Sequence, residues 1–328
     1  MLNIQKGVLL SNYSTFKIGG TAEYFTTVKH LNEIKEALQF AKQKEIPFFV
    51  LGGGSNVLFL DNGYPGLIIK FQSADEITIK PDTADGSSFK INANAGVPLN
   101  KLVNISLKKG FTGFEWAAGI PGQVGGAIYG NAGAFGASMA DVVASVKALN
   151  IKSSTLDSQN FSNKDCQFSY RSSFFKENKN YIILEAEIKL KKGDQELIKD
   201  KIKENLIYRK ERQPLEYPSV GSVFKNIPLT AANNQKLLLK FPDLQQFQEK
   251  GFIPVAYLID ECGLKGKKIG GAQVSEKHSN FIVNLGGARA EDVIILISLI
   301  KQKIRNKFGI ELEEEIILVS DDTSLKNF

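Results

Sequence analysis

The chain has 328 residues, 43% of them hydrophobic, enough to bury a substantial core in two or three domains. Its 41 basic and 35 acidic residues are mixed along the sequence, so the net charge of +6 favours small anionic ligands over nucleic acid. Two distant cysteines, Cys166 and Cys262, exclude a disulfide framework, and with only His30 and His278 as histidines no metal site is expected. The N-terminal apolar patch is too short for a signal-peptide core, and the run Val293 to Ile300 is far short of a membrane span. A cytoplasmic protein is expected. Leu31, Ile34, Ala37, Leu38 and Ala41 recur at helical spacing, followed by a strand at Phe48–Leu51. Further strands are expected at Leu58–Leu60, Leu67–Phe71, Ile77–Ile79 and Phe89–Ala93, with a turn over 81–88 and a domain boundary near residue 75. Leu99, Leu102, Val103 and Leu107 predict a short helix, and Val143–Ile151 and Tyr181–Leu190 predict strands. Leu197, Ile198, Ile202, Leu206 and Ile207 predict one apolar face of a helix linking two domains. Pro214, Pro218 and Pro228 then mark a loop-rich region. Val293, Ile297, Ile300, Ile304 and Phe308 predict an amphipathic helix ahead of a strand-like Glu315–Val319.

Two glycine-rich segments stand apart from this pattern. LGGGSNVLF, at 51–59, follows an apolar strand, and AGIPGQVGGAIYGNAGAFG, at 118–136, holds seven glycines. Glycine accepts positive φ and lets a ligand approach the main chain, and successive N–H groups in such turns make an anion-binding concavity. Two such loops predict a long diphosphate ligand. Neither fits the dinucleotide fingerprint, and no G-x-x-x-x-G-K-S/T occurs. Taken singly, each could also be a tight structural turn.

Polar residues set among glycines or aromatics recur in STFKIGG at 14–20, YRSSFFK at 170–176, GSVFKN at 221–226, GGAQVSEKHSNFIVN at 270–284 and GIELEEEI at 309–316. In this order, and together with the glycine loops, they resemble the UDP-N-acetylenolpyruvoylglucosamine reductase (MurB) family from about Ser14 to about Leu318. The resemblance implies an α+β fold: a two-subdomain FAD-binding unit of the vanillyl-alcohol oxidase (PCMH) type, followed by a C-terminal α+β substrate-binding domain. Boundaries of 1–75, 76–205 and 206–312 are expected, with a strand within 313–328 returning to the second subdomain. It further implies noncovalent FAD, NADPH as co-substrate and UDP-N-acetylglucosamine enolpyruvate as substrate. A monomer with no nucleic-acid partner is expected.

The family reaction moves hydride from NADPH to FAD and then to C3 of an enolpyruvyl ether. On this resemblance Gly52, Gly53, Gly54, Ser55, Asn56, Gly119, Ile120, Gly122, Gly125, Gly126 and Asn131 hold the cofactor. Arg171 and Glu315 match the positions that stabilise charge on the substrate carboxylate, and Ser222 the position that protonates C2. Glu315 could share that charge only if protonated or bridged by water, which requires an environment that raises its pKa. Tyr170, Lys225, Asn226, Gln273, Lys277, His278 and Asn280 are candidates for the uridine diphosphate and sugar. Bland readings stand beside these: a surface ion pair for Arg171, a capped turn for Ser222, a solvated acidic run for Glu313 to Glu315, and core packing for Tyr170. His278 reads equally as a structural histidine, and Trp116 reads as core. Ile227 interrupts the family's usual proline after GSxFKN, and 229–254 look like an insertion. Two other functions fit the same fold: a different flavin oxidase, and a non-catalytic flavin or nucleotide-sugar binder.

Overall fold

The computed structural model describes residues 2–73, 77–229 and 237–320. The first unit is built on a four-stranded sheet in the order β1 (Ile4–Leu9), β2 (Thr21–Val28), β5 (Tyr64–Phe71), β3 (Phe48–Leu51). Here β1 runs antiparallel to β2, while β2 and β3 both lie parallel to β5. A parallel pair needs a crossover, and α1 (Leu31–Gln43) supplies it by burying Ile34, Ala37, Leu38 and Ala41. Sequence periodicity found α1, β3 and β5 but not β1 and β2.

The second unit is an antiparallel sheet in which β6 (Ile77–Pro81) pairs with β7 (Ser88–Asn94), and β7 pairs with the strand Tyr181–Lys192. Val143–Asn150 lies on the far side of Tyr181–Lys192, and Ser158–Ser162 forms the edge. The expected boundary near 75 falls outside the described residues. The two sheets share one core, for Val28, Ile34, Phe48 and Leu67 pack in the same cluster as Ile91, Trp116, Val146 and Ile188.

The C-terminal unit is a small meander, Lys268–Ile269, Ala272–Val274 and Ile282–Asn284, covered by the helix Ala290–Phe308. That helix buries Val293, Ile297, Ile300, Ile304 and Phe308, the face its periodicity predicts. Within the expected insertion, residues 230–236 lie outside the described residues. Leu244 and Phe247 of the same segment are buried in the C-terminal core, and Phe252–Ile253 pairs with Ile227–Pro228. No described helix is long and apolar enough to cross a membrane.

Two expectations are corrected. The terminal strand, Ile317–Val319, runs parallel to β4 (Val57–Phe59) in the first unit and does not join the sheet of the second. The helix Gln195–Arg212 does not bury its leucines: Leu197, Leu206 and Ile207 are exposed, and Ile198, Asn205 and Arg209 face inward. Its inner face is set by carbonyls of the segment Glu115–Ala118, of which Glu115 O also accepts from Ala118 N. Asn205 donates to Glu115 O at 2.9 Å, and Arg209 to Ala118 O at 2.8 Å and Trp116 O at 3.3 Å. Burying a leucine stabilises by about 2 kcal/mol, but stranding buried carbonyls costs about 1–3 kcal/mol each. The polar face wins.

Candidate active site

The two glycine loops lie against each other. β3 delivers Gly52 to Asn56 directly onto the second loop, and a Cβ at Gly53 would come within 2.8 Å of Gly122 Cα. Ser55 Oγ ties them by donating to Pro121 O at 3.0 Å. The second loop is sewn to the end of β7 by Gly125 N to Ala95 O and Val124 N to Val97 O, each 2.9 Å. A Cβ at Gly125 would meet Ala95 Cβ at 2.9 Å. The glycines are therefore not equivalent. Gly54, at φ +69°, would drive a Cβ to 1.9 Å from Tyr13 O, whereas a Cβ at Gly126 would meet nothing within 4 Å. Gly119 and Gly122 also have positive φ, and Gly119 is roofed by Arg209, with Ile120 half-buried beside it.

Polar groups converge beneath this cradle. Gln123 Nε2 donates to Phe71 O at 3.2 Å, while its Oε1 is buried with no hydrogen-bond partner among the described residues. That oxygen lies 3.5 Å from where a Cβ on Gly52 would sit. An orphaned buried acceptor beside an open backbone cradle is what a ligand-binding cleft leaves when described without its ligand. Lys70 Nζ donates to the same Phe71 carbonyl at 3.0 Å, and burial pushes its amine down to about 8.

The hairpin tip Ser169–Ser172 closes with two mutual backbone hydrogen bonds, which leaves Tyr170 and Arg171 at its apex. Arg171 sits at φ +56°, a conformation that costs a non-glycine residue free energy. Its Nε donates to Glu315 Oε1 at 2.6 Å across 144 residues of sequence. Burial holds the Glu315 carboxyl above its ordinary range, against the pull of Arg171, Lys176 and Lys225. Glu315 N donates to Val223 O at 2.8 Å, and Lys225 N to Glu313 O at 2.9 Å, so GSVFKN runs antiparallel beside the glutamates. On its other side Ser222 bridges Phe281. Thus Ser222 and Glu315 stand on adjacent strands. The glutamate run divides as strand alternation requires: Glu313 pairs with Lys225 and Glu315 with Arg171, but Glu314 turns to Lys301.

The cradle is bonded to this cluster at three points. Asn56 Nδ2 donates to Glu315 O at 3.0 Å, and Ile317 N returns a bond to Asn56 O at 2.9 Å. Thr15 Oγ1 donates to Ser219 O at 2.7 Å, and Thr15 N to Gly54 O at 3.0 Å. Asn131, buried at φ +42°, donates through Nδ2 to Ser169 O at 2.8 Å and accepts from Ala140 N. Asn56 and Asn131, expected as cofactor contacts, also bond this framework through their side chains. Thr15 was not singled out by sequence, although it lies in STFKIGG.

The expected substrate residues divide too. Tyr170 is 46% exposed, its hydroxyl accepts from Asn226 N at 3.2 Å, and its ring faces the Arg171 guanidinium at 5.3 Å. Core packing does not describe it. Asn226 Oδ1 accepts from Val255 N at 3.2 Å. Lys277 Nζ donates to Lys210 O at 2.6 Å. Asn280 is buried and clamps Phe224 through both its amide groups, so it braces the Ser222 strand and is not open to a ligand. Gln273 is likewise buried, with Nε2 on Gly266 O at 3.1 Å. His278 packs edge-on against Phe281, and burial lowers its pKa by disfavouring the charged ring. Its Nδ1 is buried without a hydrogen-bond partner among the described residues.

Comparison with known proteins places this geometry in a family. Residues 22–157 match the profile of an FAD binding domain, and residues 213–319 that of the UDP-N-acetylenolpyruvoylglucosamine reductase C-terminal domain. The UDP-N-acetylenolpyruvoylglucosamine reductase of Clostridium tetani is 36% identical over 98% of this chain and 93% of its own. That of Caldanaerobacter subterraneus is 39% identical over 95% and 92%. The crystal structure of the Thermus caldophilus reductase superposes with a TM-score of 0.74 at 32% identity, covering 98% of this chain and all of the other. With its FAD-binding unit, its C-terminal unit and relatives matched over nearly their full length, the chain belongs to the UDP-N-acetylenolpyruvoylglucosamine reductase family.

Proposed function

We propose that this protein is an FAD-dependent reductase that converts UDP-N-acetylglucosamine enolpyruvate to UDP-N-acetylmuramate at the expense of NADPH. The observation that carries the reading is the contact of Arg171 with Glu315 at 2.6 Å, beside the Ser222 strand and bonded to the glycine cradle. The cradle suits FAD because its floor is backbone and Gly126 leaves room above it. When bound, FAD supplies the hydride relay between nicotinamide and substrate.

The chain's own residues do the rest. Glu315 occupies Arg171 Nε, and the two terminal guanidinium nitrogens carry four further donors in the planar fork that fits a carboxylate. That fork holds the substrate carboxylate. As hydride reaches C3, negative charge spreads from C2 onto this carboxylate, and a protonated Glu315 stabilises it by hydrogen bonding. The raised Glu315 pKa supports that protonated form. Ser222 then gives its hydroxyl proton to C2 and recovers one from water. Tyr170, whose hydroxyl meets Asn226 N, and Lys225 beside Glu313 are assigned with Asn226 to the uridine diphosphate, and Lys277 and His278 to the same ligand.

Anaerobic titration tests the reading: NADPH should bleach the absorbance of a noncovalent flavin, and the enolpyruvyl substrate should restore it. Oxygen uptake with a simple alcohol, and no response to the enolpyruvyl ether, would overturn it. Two free cysteines fit a reducing cytoplasm.

The glycines offer a separate test of cofactor placement. Gly126→Val adds a side chain in open space at ordinary φ, so the protein should fold with an unchanged melting temperature yet carry little flavin. Gly54→Val should fail earlier, because it clashes with Tyr13 backbone and strains a positive φ. Full flavin occupancy in folded Gly126→Val protein would move the cofactor elsewhere.

A further inference from the structure

Arg171 sits at a strained apex, and something must keep it there. The stem of its hairpin is held by the Ser169–Ser172 pair, by Asn131 on Ser169 O, and by Ser173 Oγ on Tyr129 O at 2.8 Å. Glu177 accepts from the Ser172 hydroxyl. None of these bonds touches Arg171. Besides the bond of its guanidinium to Glu315, Arg171 is met at its backbone by Lys176, whose Nζ donates to the Arg171 carbonyl at 2.9 Å from the short helix Phe174–Glu177.

We propose that Lys176 is a positioning residue for Arg171: its ammonium fixes the arginine carbonyl, and so the left-handed backbone that aims the guanidinium at Glu315. The proposal rests on the role given to Arg171 above. A lysine usually keeps its head in water. This one is half-buried, with burial and Lys225 both working against its charge and Glu313, Glu315 and Glu177 working for it. A cation is retained there at a cost, which an ordinary solvated lysine would avoid. Its partner carbonyl belongs to a residue whose φ of +56° is otherwise disfavoured. With the bond gone, the peptide after Arg171 is held only on its other side, by Ser172 N on Ser169 O, and a tilt of its carbonyl lets the fork drift from the carboxylate it must hold. A misplacement on the order of 1 Å costs about 10²-fold in rate.

The test uses the FAD-loaded full chain with Lys176→Met, Lys176→Arg and Arg171→Ala. Lys176→Met should keep wild-type flavin occupancy, melting temperature and rate of bleaching by NADPH, while reoxidation by the enolpyruvyl substrate falls about tenfold to 10²-fold. Lys176→Arg should recover most of that loss, since it restores a cationic donor. The proposal is overturned if Lys176→Met reoxidises like wild type, if Lys176→Arg does no better, or if occupancy and both half-reactions decline together. Arg171→Ala separates the two levels. If it is slow while Lys176→Met is normal, only the positioning role is wrong. If Arg171→Ala itself reoxidises normally, the role of Arg171 fails and this proposal falls with it.

Discussion

Ser222→Ala protein is expected to bind FAD and to be bleached by NADPH at near wild-type rates, while its reoxidation by the enolpyruvyl substrate slows by roughly 10²- to 10⁴-fold, the range for losing a general acid. The selectivity follows from how the segment is held. Val223 N bonds to Asn280 O, Val223 O accepts from Glu315 N, and Asn280 clamps Phe224 on both sides. The strand therefore keeps its place without the serine hydroxyl. Alanine removes one proton donor and leaves the backbone register and the Arg171–Glu315 contact intact. Ser222→Cys should retain partial activity, because a thiol also donates. Rapid mixing of each half-reaction decides it, and an alanine variant that reoxidises as fast as wild type removes Ser222 from the mechanism.

What could be read from the sequence depended on the range of the interactions that set each element. Helices α1 and Ala290–Phe308 declare themselves because an apolar stripe at 3.6-residue spacing packs on one core. The helix Gln195–Arg212 misleads the same reasoning. Asn205 and Arg209 are drawn inward by carbonyls some 90 residues earlier in the chain, which no local window contains. The strands Ala272–Val274 and Ile282–Asn284 are too short for alternation to register. Site residues split along the same line. Arg171, Ser222 and Glu315 are singled out through ordered motifs, since nothing in periodicity joins positions 144 apart. The motifs do not reveal that an asparagine splints backbone, as Asn56, Asn131 and Asn280 do. They also contain Lys176 and Thr15 without marking either, because the value of each lies in a carbonyl it reaches only after folding.

Arg171→Lys is expected to slow reoxidation by the enolpyruvyl substrate by about 10²- to 10³-fold, the usual loss when one donor to developing negative charge is removed. An ammonium is a compact charge without the planar fork, so it cannot bond Glu315 through one nitrogen and offer two others to a carboxylate. Bleaching by NADPH should change little, because nothing in the glycine cradle depends on the guanidinium. The pH profile then separates the partners. Burial raises the Glu315 pKa and Arg171 opposes it, so the protonated carboxyl is lost as pH rises through that elevated value. Reoxidation should decline on that alkaline side in the wild type. Loss of the Arg171 charge, as in Arg171→Met, should push the decline to still higher pH while lowering the rate throughout. Glu315→Gln stays neutral and keeps a donor at every pH, so it should flatten that limb and outperform Glu315→Ala. An alkaline limb that survives unchanged in Glu315→Gln would assign the titration to another group and leave Glu315 without a part in stabilising the charge.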